Sequence, residues 1–136
     1  MAGKKTMEAL MLHKKGFNCA QAVVLPFAEE LGVDRVTAMK MAEGFGAGMG
    51  ACQHTCGALS GAIMVAGLKN CNGDLNTHTS KKDTYAVCRE LTSQFEKECG
   101  SCTCSVIRGL ETKNPLKSCD ECVMIAANLV EKLPNE

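Results

Sequence analysis

The stretch from Glu43 to Leu68, EGFGAGMGACQHTCGALSGAIMVAGL, sets the terms on which this chain can fold. Gly44, Gly46, Gly48 and Gly50 alternate through a segment that no ordinary helix or strand tolerates. Cys52 and Cys56 follow, and then an apolar run of small residues from Ala58 to Leu68. That run predicts a central helix beginning at Cys56, with Thr55 as its cap. Gly57 and Gly61 lie one turn apart and admit a neighbouring helix at close range, a steric device familiar from membranes and equally valid in a packed core. The run itself is far too short to span a bilayer.

The rest of the chain reads as helices arranged around that one. Lys4 to Lys15 shows one apolar side (Met7, Leu10, Met11) and ends at Gly16. Asn18, with Gln21 three residues on, opens a helix that runs to about Leu31, and Pro26 is expected to kink or split it. Asp34 caps a third helix, with Val36, Met39 and Ala42 as its inner side. Lys69 to Ser80 reads as an exposed polar connection. A long helix then covers Lys81 to Glu98, with Tyr85, Cys88, Leu91, Phe95 and Cys99 near one face. Thr103 opens a short helix, Asn114-Pro115 breaks the chain, and Ser118 with Glu121 caps the last helix, whose stripe is Cys122, Val123, Ala126, Val130 and Leu133. With no period-two alternation, and only four Phe, one Tyr and no Trp, the expectation is all-α. A single cysteine-rich domain over residues 1–136 is expected, a compact bundle of about five to seven short helices around the small-residue central helix.

Net charge is zero, which gives no pull toward nucleic acid or an anionic membrane, so neither is expected as a partner. The opening stretch, MAGKKTMEALMLHKKG, has no apolar run that could act as a secretory signal. The chain is therefore expected in the cytoplasm with its ten cysteines reduced at rest. In that setting many cysteines point to metal ligation or redox turnover rather than static disulfides.

One local pattern recurs four times. Asn18-Cys19, Thr55-Cys56, Thr103-Cys104 and Ser118-Cys119 each set a cysteine directly after a helix-capping residue. A thiol there meets the unsatisfied N–H groups and positive dipole end of a helix, which favour thiolate, the form that attacks disulfides and binds metals.

Through these residues the chain resembles a known family. Asn18-Cys19-Ala20-Gln21-Ala22, Gly44 to Gly50, and Cys56-Gly57-Ala58-Leu59-Ser60-Gly61-Ala62 resemble the C-GCAxxG-C-C family, small redox-active proteins defined by four cysteines and a CGAxxG motif. Cys104 and Cys119 stand where its third and fourth cysteines belong, and the resemblance runs from about Asn18 to Leu133. It implies thiol or cluster redox chemistry. A similar segment accompanies haem-binding sequence in split-Soret cytochromes, but no C-x-x-C-H stands here and covalent haem is not expected.

Six further cysteines depart from the family pattern. Cys52-x-x-x-Cys56, Cys99-x-x-Cys102-x-Cys104 and Cys119-x-x-Cys122 are dense enough to chelate zinc or an iron–sulfur cluster, with no familiar spacing. Cys88 reads as core packing and Cys71 as an exposed thiol. His54, between Cys52 and Cys56, is a candidate ligand or base, whereas His13 and His78 read as surface residues. The glycines resemble a phosphate loop only superficially, since no strand precedes them and no Lys-Ser/Thr follows Gly50. Gly46, Gly48, Gly50 and Gly57 are read instead as letting backbone pass close to the thiols or to a cofactor.

Three functions remain open on these residues. In the first, Cys19, Cys56, Cys104 and Cys119 converge for thiol–disulfide exchange, with Cys56 as nucleophile and Cys52 beside it. In the second, the same four ligate an iron–sulfur cluster or zinc, with Cys52, Cys99, Cys102, Cys122 and His54 as additional ligands. In the third, the thiols fill core volume in a structural or interaction module. The redox partner is unknown, and a homodimer is compatible with the short, small-residue helices.

Overall fold

Two capping boxes fix where two of the site-bearing helices begin. In the computed structural model, which describes residues 3–133, Asn18 Oδ1 accepts from Gln21 N (2.9 Å) while Gln21 Oε1 accepts from Asn18 N (3.1 Å). Ser118 and Glu121 repeat the arrangement at 3.1 and 3.0 Å. Each cap stabilises its helix start by about 1 kcal/mol.

The helices are α1 (Lys4–Lys14), α2 (Cys19–Ala28), α3 (Arg35–Glu43), α4 (Gly57–Asn70), α5 (Lys81–Cys99), α6 (Cys104–Ile107) and α7 (Cys119–Glu131). Apart from the irregular turn at Gly46–Met49, the described residues contain these seven α-helices and no strand, so the fold is all-α. Pro26 does not split α2. The helix continues two residues past it and tightens into a 3₁₀ turn, Glu29–Leu31, which ends at Gly32 in the left-handed region.

Helix α4 is central, as its composition suggests. It packs against α2, α5 and α7, and Leu59, Ala62, Val65 and Ala66 meet Val23, Phe27, Phe95, Val123 and Val130 in one core. Gly61 is what lets α2 so close. A methyl there would sit 2.8 Å from the Ala20 carbonyl oxygen, well inside contact distance.

Two helix faces differ from the sequence expectation. Helix α1 buries Thr6, Ala9 and Leu12, leaving Met7 and Met11 about half exposed; α3 buries Ala38 and Ala42, leaving Val36 and Met39 outside. Both face their neighbours with alanine because short interhelical distances have no room for methionine. Lys69 is not part of an exposed connection either. It is buried on α4, and its ammonium donates to Val130 O (3.1 Å) and Leu133 O (2.8 Å), closing the C-terminal end of α7. No helix of the described residues is long and apolar enough to cross a membrane.

Helices α1 and α7 lie side by side in opposite directions. At one end the Glu131 carboxylate accepts from Lys5 N (3.2 Å), Thr6 N (3.1 Å) and Thr6 Oγ1 (2.8 Å), supplying the cap that Gly3 lacks. At the other end Asp120 faces His13 and Lys14. The first turn of α7 is thereby pinned to the last turn of α1.

Candidate functional site

The site is assembled from four helix starts. Cys19, Cys104 and Cys119 are the first residues of α2, α6 and α7, and Cys56 is the N-cap residue of α4. The capping pattern holds with full side-chain bonding at Asn18 and Ser118. At Thr55 and Thr103 it does not: neither side chain caps a helix, and the helix start after Thr55 falls one residue later than expected. These two threonines face each other instead in an isolated antiparallel bridge. Cys56 N donates to Cys102 O (2.8 Å) and Cys104 N to His54 O, so the bridge brings Cys56 and Cys104 to one wall.

The glycine stretch forms a second wall by turning left-handed, with Gly48 packed against Cys104 and His54. Residues 47–51 all have positive φ: 53° at Ala47, 76° at Gly48, 70° at Met49, 63° at Gly50 and 66° at Ala51. Only glycine takes this conformation without strain, and each of the alanines and the methionine costs about 1–2 kcal/mol there. Gly48 is irreplaceable on a second count, because a methyl would fall 2.7 Å from Cys104 Cβ and 2.8 Å from His54 N. Such strain is characteristic of functional sites, where surrounding structure holds the chain in place.

Between these walls is a pocket of about 240 Å³. Cys19, Cys56, Cys104, Cys119 and Cys122 line it, together with Gly48, Gly57, His13, Arg108 and Lys117. The remaining predicted residues lie elsewhere. Cys52 is exposed, with its sulfur 3.9 Å from Gly50 O. Cys102 turns toward Thr92 O (3.8 Å), and Cys99 is buried behind the pocket, 4.0 Å from Cys122 sulfur to sulfur. His54 is exposed and contributes through its backbone alone. Gly46 is buried, a methyl's distance from Asn18, and Gly50 is outside the pocket. Cys88 is half-buried, and Cys71 is exposed and accepts from Gly73 N at 3.4 Å.

Electrostatics divide the thiols. Interaction with the Cys19 side chain, opposed by burial and aided by Arg108 and His13, brings Cys119 from an ordinary 9.0 down to about 6. Cys19 moves the other way, raised by its interaction with Cys119 and by burial. Cys56 is likewise raised, chiefly by Cys122 and by burial, although the Leu59 and Ala58 N–H groups at the α4 start pull against this. Burial raises Cys104 despite Arg108, and its sulfur donates to Gln53 Oε1 (3.3 Å). A helix start alone therefore does not make a thiolate here. Cys119 is distinguished by its interaction with Cys19 and by the Arg108 guanidinium.

Two features escaped the sequence reading. His13 is not a plain surface residue: Nδ1 is hydrogen-bonded to the Asp120 carboxylate, and Nε2 lies 3.6 Å from Cys19 Sγ. An Nδ1–H held by Asp120 leaves the Nε2 lone pair facing the thiol, in the geometry of a base. The partners are 107 residues apart, so no local motif announces them. The second feature is the role of Cys119-x-x-Cys122. Its first cysteine opens α7 with a depressed pKa, and its second is buried one turn further on and also lines the pocket.

Among the described residues, no group of three or more His, Cys, Asp or Glu side chains is placed to hold one ion.

Comparison with known proteins gives one match. Residues 17–133 fit the family described as "Putative redox-active protein (C_GCAxxG_C_C)". No curated protein and no solved structure matches the chain.

Proposed function

Since the chain belongs to the C_GCAxxG_C_C family of redox-active proteins, we propose that it carries out thiol–disulfide exchange in this pocket, with Cys119 as attacking thiolate and Cys19 as resolving thiol. One observation carries this assignment: Asp120, His13 and Cys19 form a chain of contacts, and Cys19 and Cys119 line one pocket. It replaces Cys56, the choice made on sequence grounds, because Cys56 is buried and Cys122 and that burial push its pKa up.

The chemistry follows from the geometry. The Cys119 thiolate attacks one sulfur of a substrate disulfide; a protein–substrate disulfide forms and the other substrate half leaves as a thiolate. Cys19 then passes its proton to His13 Nε2, attacks Cys119, and releases the second substrate thiolate. The imidazolium is stabilised by Asp120 and returns the proton to the departing sulfur. Two protein thiols become one disulfide and one substrate disulfide becomes two thiols. Arg108 places positive charge near the Cys119 sulfur, and Lys117 lines the same pocket.

Reduced protein is to be mixed with a small disulfide without oxygen, alkylated and mapped by mass spectrometry. A Cys19–Cys119 disulfide is expected. His13→Gln is expected to leave the first attack intact and to accumulate the protein–substrate disulfide. Equal rates for both steps in wild type and His13→Gln would remove His13 from the mechanism.

The cluster reading rests on one fact, that Cys19, Cys56, Cys104 and Cys119 line the same pocket. Iron and zinc content of an anaerobic preparation decides it. Stoichiometric metal bound to these four would replace the exchange reading.

A further inference from the structure

We infer that Cys99 and Cys122 form a second, buried redox couple that draws the disulfide out of the pocket by internal exchange. The inference rests on the exchange reading above and extends it to two sulfurs which that mechanism leaves idle.

Cys122 occupies a junction. It follows Cys119 by one turn of α7 and lines the pocket, while its sulfur faces that of Cys99 at 4.0 Å on the inner side. Their residues are 2% and 1% exposed, so no outside reagent reaches Cys99 except through Cys122. Closing the pair to a bond of about 2.0 Å requires movement at one end. Cys99 is placed for it, being the last residue of α5, directly before Gly100 in the left-handed region. Volume filling alone would be met by any small apolar residue. It does not call for two sulfurs in contact, one of them open to the pocket.

The transfer takes two exchanges. The Cys122 thiol attacks Cys119 within the Cys19–Cys119 disulfide, forming Cys119–Cys122, and its proton goes to the departing Cys19 sulfur. Cys99 then attacks Cys122, forming Cys99–Cys122, and its proton leaves with Cys119 or is lost to water. One electron pair moves from the buried thiols to the pocket disulfide. Cys19 and Cys119 are restored as thiol and thiolate, free to reduce a second substrate disulfide.

The test is an anaerobic titration of fully reduced protein with hydroxyethyl disulfide, followed by alkylation and peptide mapping. Wild type is expected to show the Cys19–Cys119 disulfide transiently and Cys99–Cys122 at the end point. Cys99→Ala and Cys99→Ser, each checked for helix content by circular dichroism, are expected to stop at Cys19–Cys119 with an unchanged first rate. Cys119→Ser is expected to form Cys99–Cys122 at least about tenfold more slowly, because the accessible thiolate is gone. A wild-type end point with Cys19–Cys119 oxidised and both buried thiols still free overturns the inference and leaves the exchange reading standing. So does a terminal Cys56–Cys122 disulfide. No oxidation of Cys119 at any ratio overturns the exchange reading itself, and this one with it.

Discussion

Removing the Cys19 thiol should raise the pKa of Cys119, because that side chain is the largest single influence holding it at about 6 instead of 9.0. At pH 7 a thiol of pKa 6 is about 90% thiolate and one of pKa 9 about 1%. Intrinsic nucleophilicity falls with basicity, and at a Brønsted slope of 0.4–0.5 the lower pKa costs about twentyfold, leaving a net gain of roughly fourfold. The rate alone is thus a blunt measure, and the titration midpoint is the sharp one. Alkylation of Cys119 by iodoacetamide, followed residue by residue across pH, is expected to show a wild-type midpoint near 6. In Cys19→Ala the midpoint should move above about 7, with burial and Asp120 opposing Arg108 and His13 in what remains. The same depression has a thermodynamic sign. The folded value lies below the ordinary one, so the stability it confers is full above pH 9.0 and is lost as pH falls through about 6. A wild-type midpoint above about 8, or one unmoved by Cys19→Ala, would refute the reasoning that Cys19 makes the thiolate.

Two further changes probe the frame. Gly61→Ala puts a methyl 2.8 Å from a backbone oxygen of α2 and should cost about 1–3 kcal/mol by chemical denaturation, without shifting the Cys119 midpoint unless α2 moves. Glu131→Gln should cost roughly 1 kcal/mol, since the capping charge is partly exposed to water. Burial pushes the Glu131 carboxyl up, but the Thr6 and Lys5 donors together hold it below its ordinary value. Its stabilisation is therefore lost as pH falls through that lowered pKa, and the variant's stability should depend less on acid pH; an unchanged acid limb would rule this out.

What was legible in the sequence was what is local. The boxes at Asn18–Gln21 and Ser118–Glu121 need three residues each and formed as expected. Thr103 does open its helix, but without a side-chain cap bond, and Thr55 stands one residue too early; the two pair with each other across 48 positions, which no window on the sequence reveals. The inner faces of α1 and α3 were misjudged because periodicity weights methionine over alanine, whereas close helix packing selects the smaller residue. The central helix was found for the complementary reason: its glycines and alanines signal closeness directly. The thiols of the pocket could be named from their helix starts. The one carrying negative charge could not, since that depends on Cys19 and Cys119 meeting across a hundred residues.

Asp120 and Glu131, at the two ends of α7, have a consequence for how variation in this chain should be read. Glu131 is twelve residues from Cys119, about 18 Å along the helix. It grips the start of α1, whose far end carries the imidazole that faces Cys19. The helix pair behaves as a ladder with a rung at each end, and slackness at one rung is felt as misalignment at the other. Residue changes near Thr6 or Glu131, at the far end of both helices from His13 and Cys119, would then appear in the laboratory as altered proton transfer.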